Sequence, residues 1–201
     1  MIITKIEIQK NNQERVNLYL DDKFFAGVSA DLVFLEHLKV GKEISQDELE
    51  NIILEDEKTK ALNKAVKYIG SNLKTKKQLK DYLKKKEFND CTIDYVLDKL
   101  VEYDYLNDEN YAKAYINTYN KKYGNIKLKM QLKQKGISDK IIDEYLQKNT
   151  ENSIDAVAKK YLKNKELTPE TLNKLFRFLY SRGYEYDQIN SCVSSIKNTK
   201  E

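Results

Sequence analysis

"LKKKEFNDCTIDYVLDKL", residues 83–100, sets the question on which the fold turns, because its outline returns as "LKQKGISDKIIDEYLQKN" from Leu132 and "LYSRGYEYDQINSCVSSI" from Leu179. Each stretch reads as the end of one helix, a turn and a second helix. An offset of 49 carries Leu79, Leu83, Phe88, Ile93 and Leu97 onto Leu128, Leu132, Ile137, Ile142 and Leu146. A further 47 carries those onto Leu175, Leu179, Tyr184, Ile189 and Val193, so all fifteen positions are apolar or aromatic. Apolar agreement alone is weak, since two offsets are chosen freely, but polar landmarks agree too. A basic residue (Lys86, Lys135, Arg182) precedes each turn, and Gly136 and Gly183 stand where a helix end takes a left-handed residue. Glu87 holds that position in the first copy, so it either accepts about 1–2 kcal/mol of strain or adopts a different turn.

Working outward, an upstream helix keeps register, with Leu62 and Val66 over Tyr111 and Tyr115 and then over Ala158 and Leu162. The unit is therefore three helices, used three times: residues 57–104, 105–150 and 151–201, after an N-terminal segment 1–56. Caps mark the helix starts: Thr75 with Gln78, Asn107 or Asp108, Ser138, and Thr168 followed by Pro169, with helices of about 11 to 17 residues between them. One such unit encloses little core alone, whereas stacked units cover one another. The expected fold is mainly α, three tandem three-helix repeats in an elongated array.

Composition agrees. The 201 residues contain only 6 Gly and 1 Pro, with 34% charged residues, as expected of helices with solvated faces. No apolar run is long enough to span a bilayer and no signal peptide is visible, so the expectation is a cytoplasmic protein. Cys91, Cys192 and the lone His37 make neither a disulfide framework nor a metal site, and no cofactor is expected. Residues 1–56 carry 6 basic against 12 acidic residues and residues 57–201 carry 30 against 20, a division that implies two tasks.

The acidic segment alternates. Ile6 and Ile8, then Val16, Leu18 and Leu20, then Phe24 or Phe25 with Val28, sit in short runs broken by "KNNQE" and by Asp21–Asp22, the pattern of a small β-meander. Ser29 is positioned to cap "ADLVFLEHL", which would put His37 on that helix as an interface residue, and "SQDE" from Ser45 opens a second helix with a capping box. These helices would cover the sheet.

No P-loop, glycine-rich phosphate cradle or nucleophile elbow is present, so an enzyme is not expected. The basic residues repeat in register instead. Lys80 and Lys84 map onto Lys129 and Lys133, Lys76 extends the first pair by a turn, and Lys86, Lys135 and Arg182 continue the line. The third copy places Phe176 and Tyr180 at the equivalent positions, with Lys174 and Arg177 close by. These ten cations read either as a track for a polyanion or as the solvated side of lysine-rich helices. Tyr111, Tyr115, Tyr119 and Tyr123, four apart, could stack bases, but their spread around the helix favours packing. Duplex reading by a helix-turn-helix is not expected, because Asp90, Asp94, Asp98, Asp139, Asp143 and Glu144 on the would-be recognition helices repel phosphate.

"YLNDENYAKAYI" from Tyr105, with "TKKQLKDYLKKKEF" and "IDYVLDKL" before it and "KLKMQLKQKGIS" after it, resembles the RecX regulatory family, modulators of the RecA recombinase. The resemblance is densest at Tyr105, Leu106, Asn107, Asp108, Tyr111, Ala112 and Tyr115, and covers residues 57–150 more fully than 151–198. It implies tandem three-helix units and a non-enzymatic monomer that binds RecA filaments and DNA without sequence specificity, in the setting of recombination, DNA repair and the SOS response. A stand-alone nucleic-acid-binding protein and a purely structural helical array are the rival readings.

Overall fold

The computed structural model describes residues 1–148 and 154–198, so the expected division at 150/151 lies outside the described residues. The chain is mainly helical, with ten helices following a three-stranded antiparallel sheet among the described residues. It divides into two compact units, residues 1–72 with 79–105, and residues 73–78 with 106–201.

The sheet of the first unit comprises β1 (Ile3–Gln9), β2 (Asn12–Leu20) and β3 (Lys23–Ser29), paired in that order. Between β2 and β3 the chain reverses at Asp21 and Asp22, both left-handed (φ 47° and 64°), the two-residue turn whose twist matches that of the strands. Ile3, Val16, Leu18, Leu20 and Val28 form the inner face. Leu32 of α1 (Ala30–Leu35), the following Leu38 and Ile44, and Leu49 and Ile52 of α2 (Gln46–Ile69) cover it. Ile8, expected inside, pairs with Val16 but sits on the edge strand and is 64% exposed; Ile3 takes its place in the core.

Two expectations about α1 fail. The helix stops at Leu35, and His37 lies in the turn beyond it, exposed, with φ 49°. The Leu38 amide donates to the Val33 carbonyl at 2.9 Å, the bond of a helix-ending motif in which His37 is the left-handed residue and Leu38 turns inward. Ser29 precedes α1 but makes no side-chain cap; its amide donates to Asp56 at 2.8 Å. The Ser45–Glu48 capping box forms as expected.

Position 56/57 falls inside α2, which runs unbroken for 24 residues. Asp56, 4% exposed, accepts from Ser29 and from both terminal nitrogens of Arg15 on β2 (3.3 and 3.4 Å), and pairs with Lys60. Arg15 also donates to the Gly27 carbonyl on β3. A buried carboxylate needs such a full set of donors, and here it fastens α2 to the sheet.

The repeat is carried by α2 with α3 (Lys76–Lys84) and α4 (Asp90–Glu102), by α5 (Asp108–Tyr119), α6 (Asn125–Gln134) and α7 (Asp139–Lys148), and by α8 (Ile154–Leu162), α9 (Pro169–Ser181) and α10 (Tyr186–Asn198). Leu79, Leu128 and Leu175, then Leu83, Leu132 and Leu179, then Ile93, Ile142 and Ile189 are all 0% exposed. Phe88, Leu97 and Val193 are half-buried and the other matched residues are buried. The register proposed for the first helices is corrected: Val66 is 48% exposed, whereas Ala61, Ala112 and Ala158 are each 0% exposed. The inward faces thus meet at alanine, where backbones approach closely, at offsets of 51 and 46.

All three turns share one backbone. Glu87 (φ 64°), Gly136 (φ 88°) and Gly183 (φ 80°) are left-handed, so Glu87 takes the strain rather than a different turn. The amides of Phe88, Ile137 and Tyr184 donate to the carbonyls of Leu83, Leu132 and Leu179. Glycine is needed in the later copies for a second reason. In the second unit the turn of copy two docks on the start of α3, with Thr75 donating to Lys135 O at 2.6 Å and Lys77 Nζ to Gln134 O at 3.2 Å. The turn of copy three docks likewise on the start of α6, where the amides of Gly124 and Ile126 donate to the carbonyls of Arg182 and Gly183. At α6 amides at the helix start that would otherwise lack partners are thus satisfied by the next copy's turn, whereas at α3 side chains make the contact. In copy three α9 begins with a self-capping turn in which Thr168 accepts from the Thr171 amide and Pro169 follows.

Candidate partner and nucleic-acid interface

The repeated lysines are held by repeated aspartates. Lys80 meets Asp94 at 3.1 Å and Lys84 meets Asp90 at 3.0 Å; at the same offset of 49, Lys129 meets Asp143 at 2.5 Å and Lys133 meets Asp139 at 2.7 Å. The hydrogen bonds show in the proton affinities. Lys84 holds the Asp90 carboxyl, and Lys133 that of Asp139, below the ordinary range, while Asp143 raises the Lys129 ammonium. In copy three both members are replaced at once, and Phe176 packs edge-on against Tyr186 with ring centres 5.4 Å apart. The same two helices of the unit are therefore bridged by ion pairs in two copies and by a ring contact in the third, where Phe176 and Tyr186 stand at the positions of Lys129 and Asp139.

The other track residues have different surroundings. Lys174 pairs with Glu170 one turn away, and Lys76 and Arg177 are exposed. The three turn cations lie over rings: Lys86 over Tyr82, Lys135 over Tyr111 and Tyr115, and Arg182 over Phe178 and Tyr123.

Tyr111, Tyr115, Tyr119 and Tyr123 form a continuous ladder, with successive ring centres 6.1, 4.6 and 6.0 Å apart. All four are half-buried against the core of copy two, so packing is their first duty. Burial raises the Tyr115 phenol above its ordinary value, and its hydroxyl meets Gln131 at 3.0 Å.

The Tyr105 motif resolves into separate jobs. Leu106 is 2% and Ala112 is 0% exposed, in the core. Asn107 caps α5 by accepting from the amides of Glu109 and Asn110, and Asp108 accepts from the Lys76 amide at the start of α3. Tyr105 closes the end of α4, its amide donating to the Leu100 carbonyl at 2.9 Å, while the residue is 69% exposed.

A cleft lies in the second unit where the segment after α5 meets α8 and α9, and Lys121, Lys122, Lys160 and Arg182 line it. Single-helix patterns do not reveal it, because its walls come from three distant stretches of chain. Among the described residues no group of His, Cys, Asp and Glu could hold a metal ion, and no helix is long and apolar enough to cross a membrane.

Comparison with known proteins accounts for the whole succession. Residues 1–45 match the regulatory protein RecX N-terminal domain, 61–100 the first RecX three-helix domain, 107–146 the second and 150–193 the third. The chain is 39% identical to Regulatory protein RecX of Clostridium tetani over 202 residues, covering 96% of this chain and 94% of that protein. It is 36% identical to the Bacillus velezensis protein of that name, covering 97% of this chain and 77% of the relative. A crystal structure of regulatory protein RecX superposes with a TM-score of 0.74 at 24% identity, covering 96% of this chain and 98% of the other. RecX from Lactobacillus salivarius superposes with a TM-score of 0.63 at 27% identity, over 71% of this chain and 97% of the other. Its four successive domains, each matched in order and all supported by relatives of near-equal length, make the chain a member of the RecX family of regulatory proteins.

Proposed function

We propose that the protein binds the RecA filament on DNA and lowers its strand-exchange and ATPase activities, acting as a non-catalytic cytoplasmic monomer in recombination, DNA repair and the SOS response. The observation that carries this reading is the repetition of one three-helix unit three times in a RecX-family chain. A filament presents the same surface again and again, and tandem units joined in one chain convert later contacts into intramolecular ones. Many modest contacts then outweigh any single pocket.

The nucleic-acid part of the interface is assigned to cations outside the aspartate clamps: Lys76, Lys86, Lys135, Arg177 and Arg182. Lys80, Lys84, Lys129 and Lys133 must give up an aspartate before they can meet phosphate, which offsets the counterion-release gain. The rival reading, a stand-alone sequence-nonspecific nucleic-acid binder, is favoured by the cation-flanked tyrosine ladder. The deciding experiment adds the protein to filaments preformed on single-stranded DNA and follows ATP hydrolysis, with and without excess DNA. Inhibition that survives excess DNA supports the filament reading. Inhibition abolished by it supports the rival, and no effect at stoichiometric protein defeats the regulator reading.

A further inference from the structure

The cleft of the second unit, about 520 Å³, stands apart from the rest of the basic surface. Its four cations, Lys121, Lys122, Lys160 and Arg182, are accompanied by no carboxylate among the described residues that line it. Elsewhere the repeated lysines are neutralised by aspartates at 2.5–3.1 Å. Lys121 and Lys160 are exposed, and their ammonium groups make no ion pair among the described residues. Arg182 is fixed, its guanidinium 4.8 Å from the Phe178 ring centre and donating to the Lys122 carbonyl at 3.4 Å. Positive charge is therefore concentrated here rather than cancelled.

The floor is aromatic, its two rings inclined by 30°, with Lys165 Nζ 3.4 Å from the Tyr161 ring centre and Arg182 over Phe178, so a ligand meets ring edges. Tyr161 and Phe178 stack with ring centres 4.5 Å apart, and Val157 stands on the same wall one turn before Tyr161. An apolar, aromatic floor beneath convergent polar groups is the usual form of a small-ligand site, and the volume falls in the usual range. The ligand that fits both halves carries a flat ring and a phosphate.

We propose that this cleft binds one nucleotide unit, with the base against Val157 and the Tyr161–Phe178 pair and the phosphate between Lys121, Lys160 and Arg182. It deepens the filament reading, on which it rests for the source of the strand, and its test contains no recombinase, so either can fail alone. A free nucleoside phosphate and a nucleotide within a single strand share this chemistry, and the two probes below separate them.

The full-length protein is titrated at low salt against fluorescein-labelled oligo(dT) and, separately, against the fluorescent nucleotide mant-ADP. Three forms are compared: wild type, K121E/K160E, and the charge-matched control K85E/K113E, whose lysines are exposed and outside the cleft. Retained fold is checked by circular dichroism. The cleft variant is expected to bind oligo(dT) about tenfold or more weakly, with the log–log salt slope reduced by about 0.7 for the one lost phosphate contact, and the control to stay within about threefold. Loss of mant-ADP binding in the same variant places free nucleotides among the ligands, and binding of oligo(dT) alone by the wild type restricts the site to strands. Equal weakening by both double variants, no weakening by the cleft variant, or no binding of either probe by the wild type would overturn the assignment.

Discussion

Three positions with one backbone conformation but different neighbours make the turn account testable in a single series. An alanine at Gly183 places its Cβ 2.4 Å from the Lys127 amide nitrogen and 2.5 Å from its Cβ, against backbone that belongs to the start of α6. The left-handed conformation costs an L-residue about 1–2 kcal/mol, and forcing the docked segments apart adds about 1–3 kcal/mol. Gly183→Ala should therefore lose roughly 2–5 kcal/mol, the sum of these two terms. At Gly136 the same Cβ meets only the Lys77 side chain, at 2.5 Å from its Cβ and 2.8 Å from its Cδ. The Cγ and Cδ can rotate away, but the Lys77 Cβ is fixed by the backbone, so Gly136→Ala also forces the docked segments apart and should lose roughly 2–5 kcal/mol. Glu87 is exposed, and the reverse change Glu87→Gly relieves strain while loosening the unfolded chain, for a net gain of up to about 1 kcal/mol. Urea denaturation of the full chain, followed by circular dichroism and tyrosine fluorescence, gives the three values. A loss at Gly183 or Gly136 no larger than the backbone cost of about 1–2 kcal/mol, or a loss at Glu87→Gly, would refute the docking of successive turns on helix starts.

Asp56→Ala should destabilise the first unit by about 2–4 kcal/mol in the same assay, because it strands the Arg15 guanidinium and the Ser29 amide; a loss below about 1 kcal/mol contradicts the role given to Asp56. Cys91 is exposed, while burial, reinforced by Asp155, pushes the Cys192 thiol up to about 12, so a thiol reagent at pH 8 should modify one cysteine in the native protein and two after denaturation. Two fast equivalents in the native protein would be the contrary result. Replacing Lys80, Lys84, Lys129 and Lys133 together by Ala should change oligo(dT) affinity by less than about threefold, because their aspartates already neutralise them. A loss beyond tenfold would show that the clamps open onto nucleic acid.

The second and third helices of each repeat were legible because large leucines and isoleucines at fixed spacing fill each core, and the turn between them carries its own landmarks. The first helices were not, because Ala61, Ala112 and Ala158 do the packing there, and hydropathy matching slides to the larger Leu62 and Val66 beside them. His37 was misplaced since an ordinary residue filled the left-handed position that glycine usually announces. Asp56 looked like one more solvated carboxylate, as its partners Arg15 and Ser29 are 41 and 27 residues away. The lysine track was legible as a pattern and its partners were too: Asp90 and Asp94 recur as Asp139 and Asp143 at the lysines' own offset, and copy three exchanges both sides together. Read separately, the lysines suggested a partner and the aspartates a repulsion; read together, they describe a clamp. The cleft required three segments to be brought together by the fold.

The central claim is that tandem units engage a repeating partner, and it is tested most directly by comparing affinity for assembled and free recombinase. Labelled protein is titrated with RecA filaments formed on single-stranded DNA, with free RecA, and with the same DNA alone, at one salt concentration. Binding to filaments is expected to be at least tenfold tighter than to free RecA or to bare DNA, with the advantage falling as single three-helix units are deleted. Equal affinity for filaments and bare DNA, or for filaments and free RecA, would contradict it.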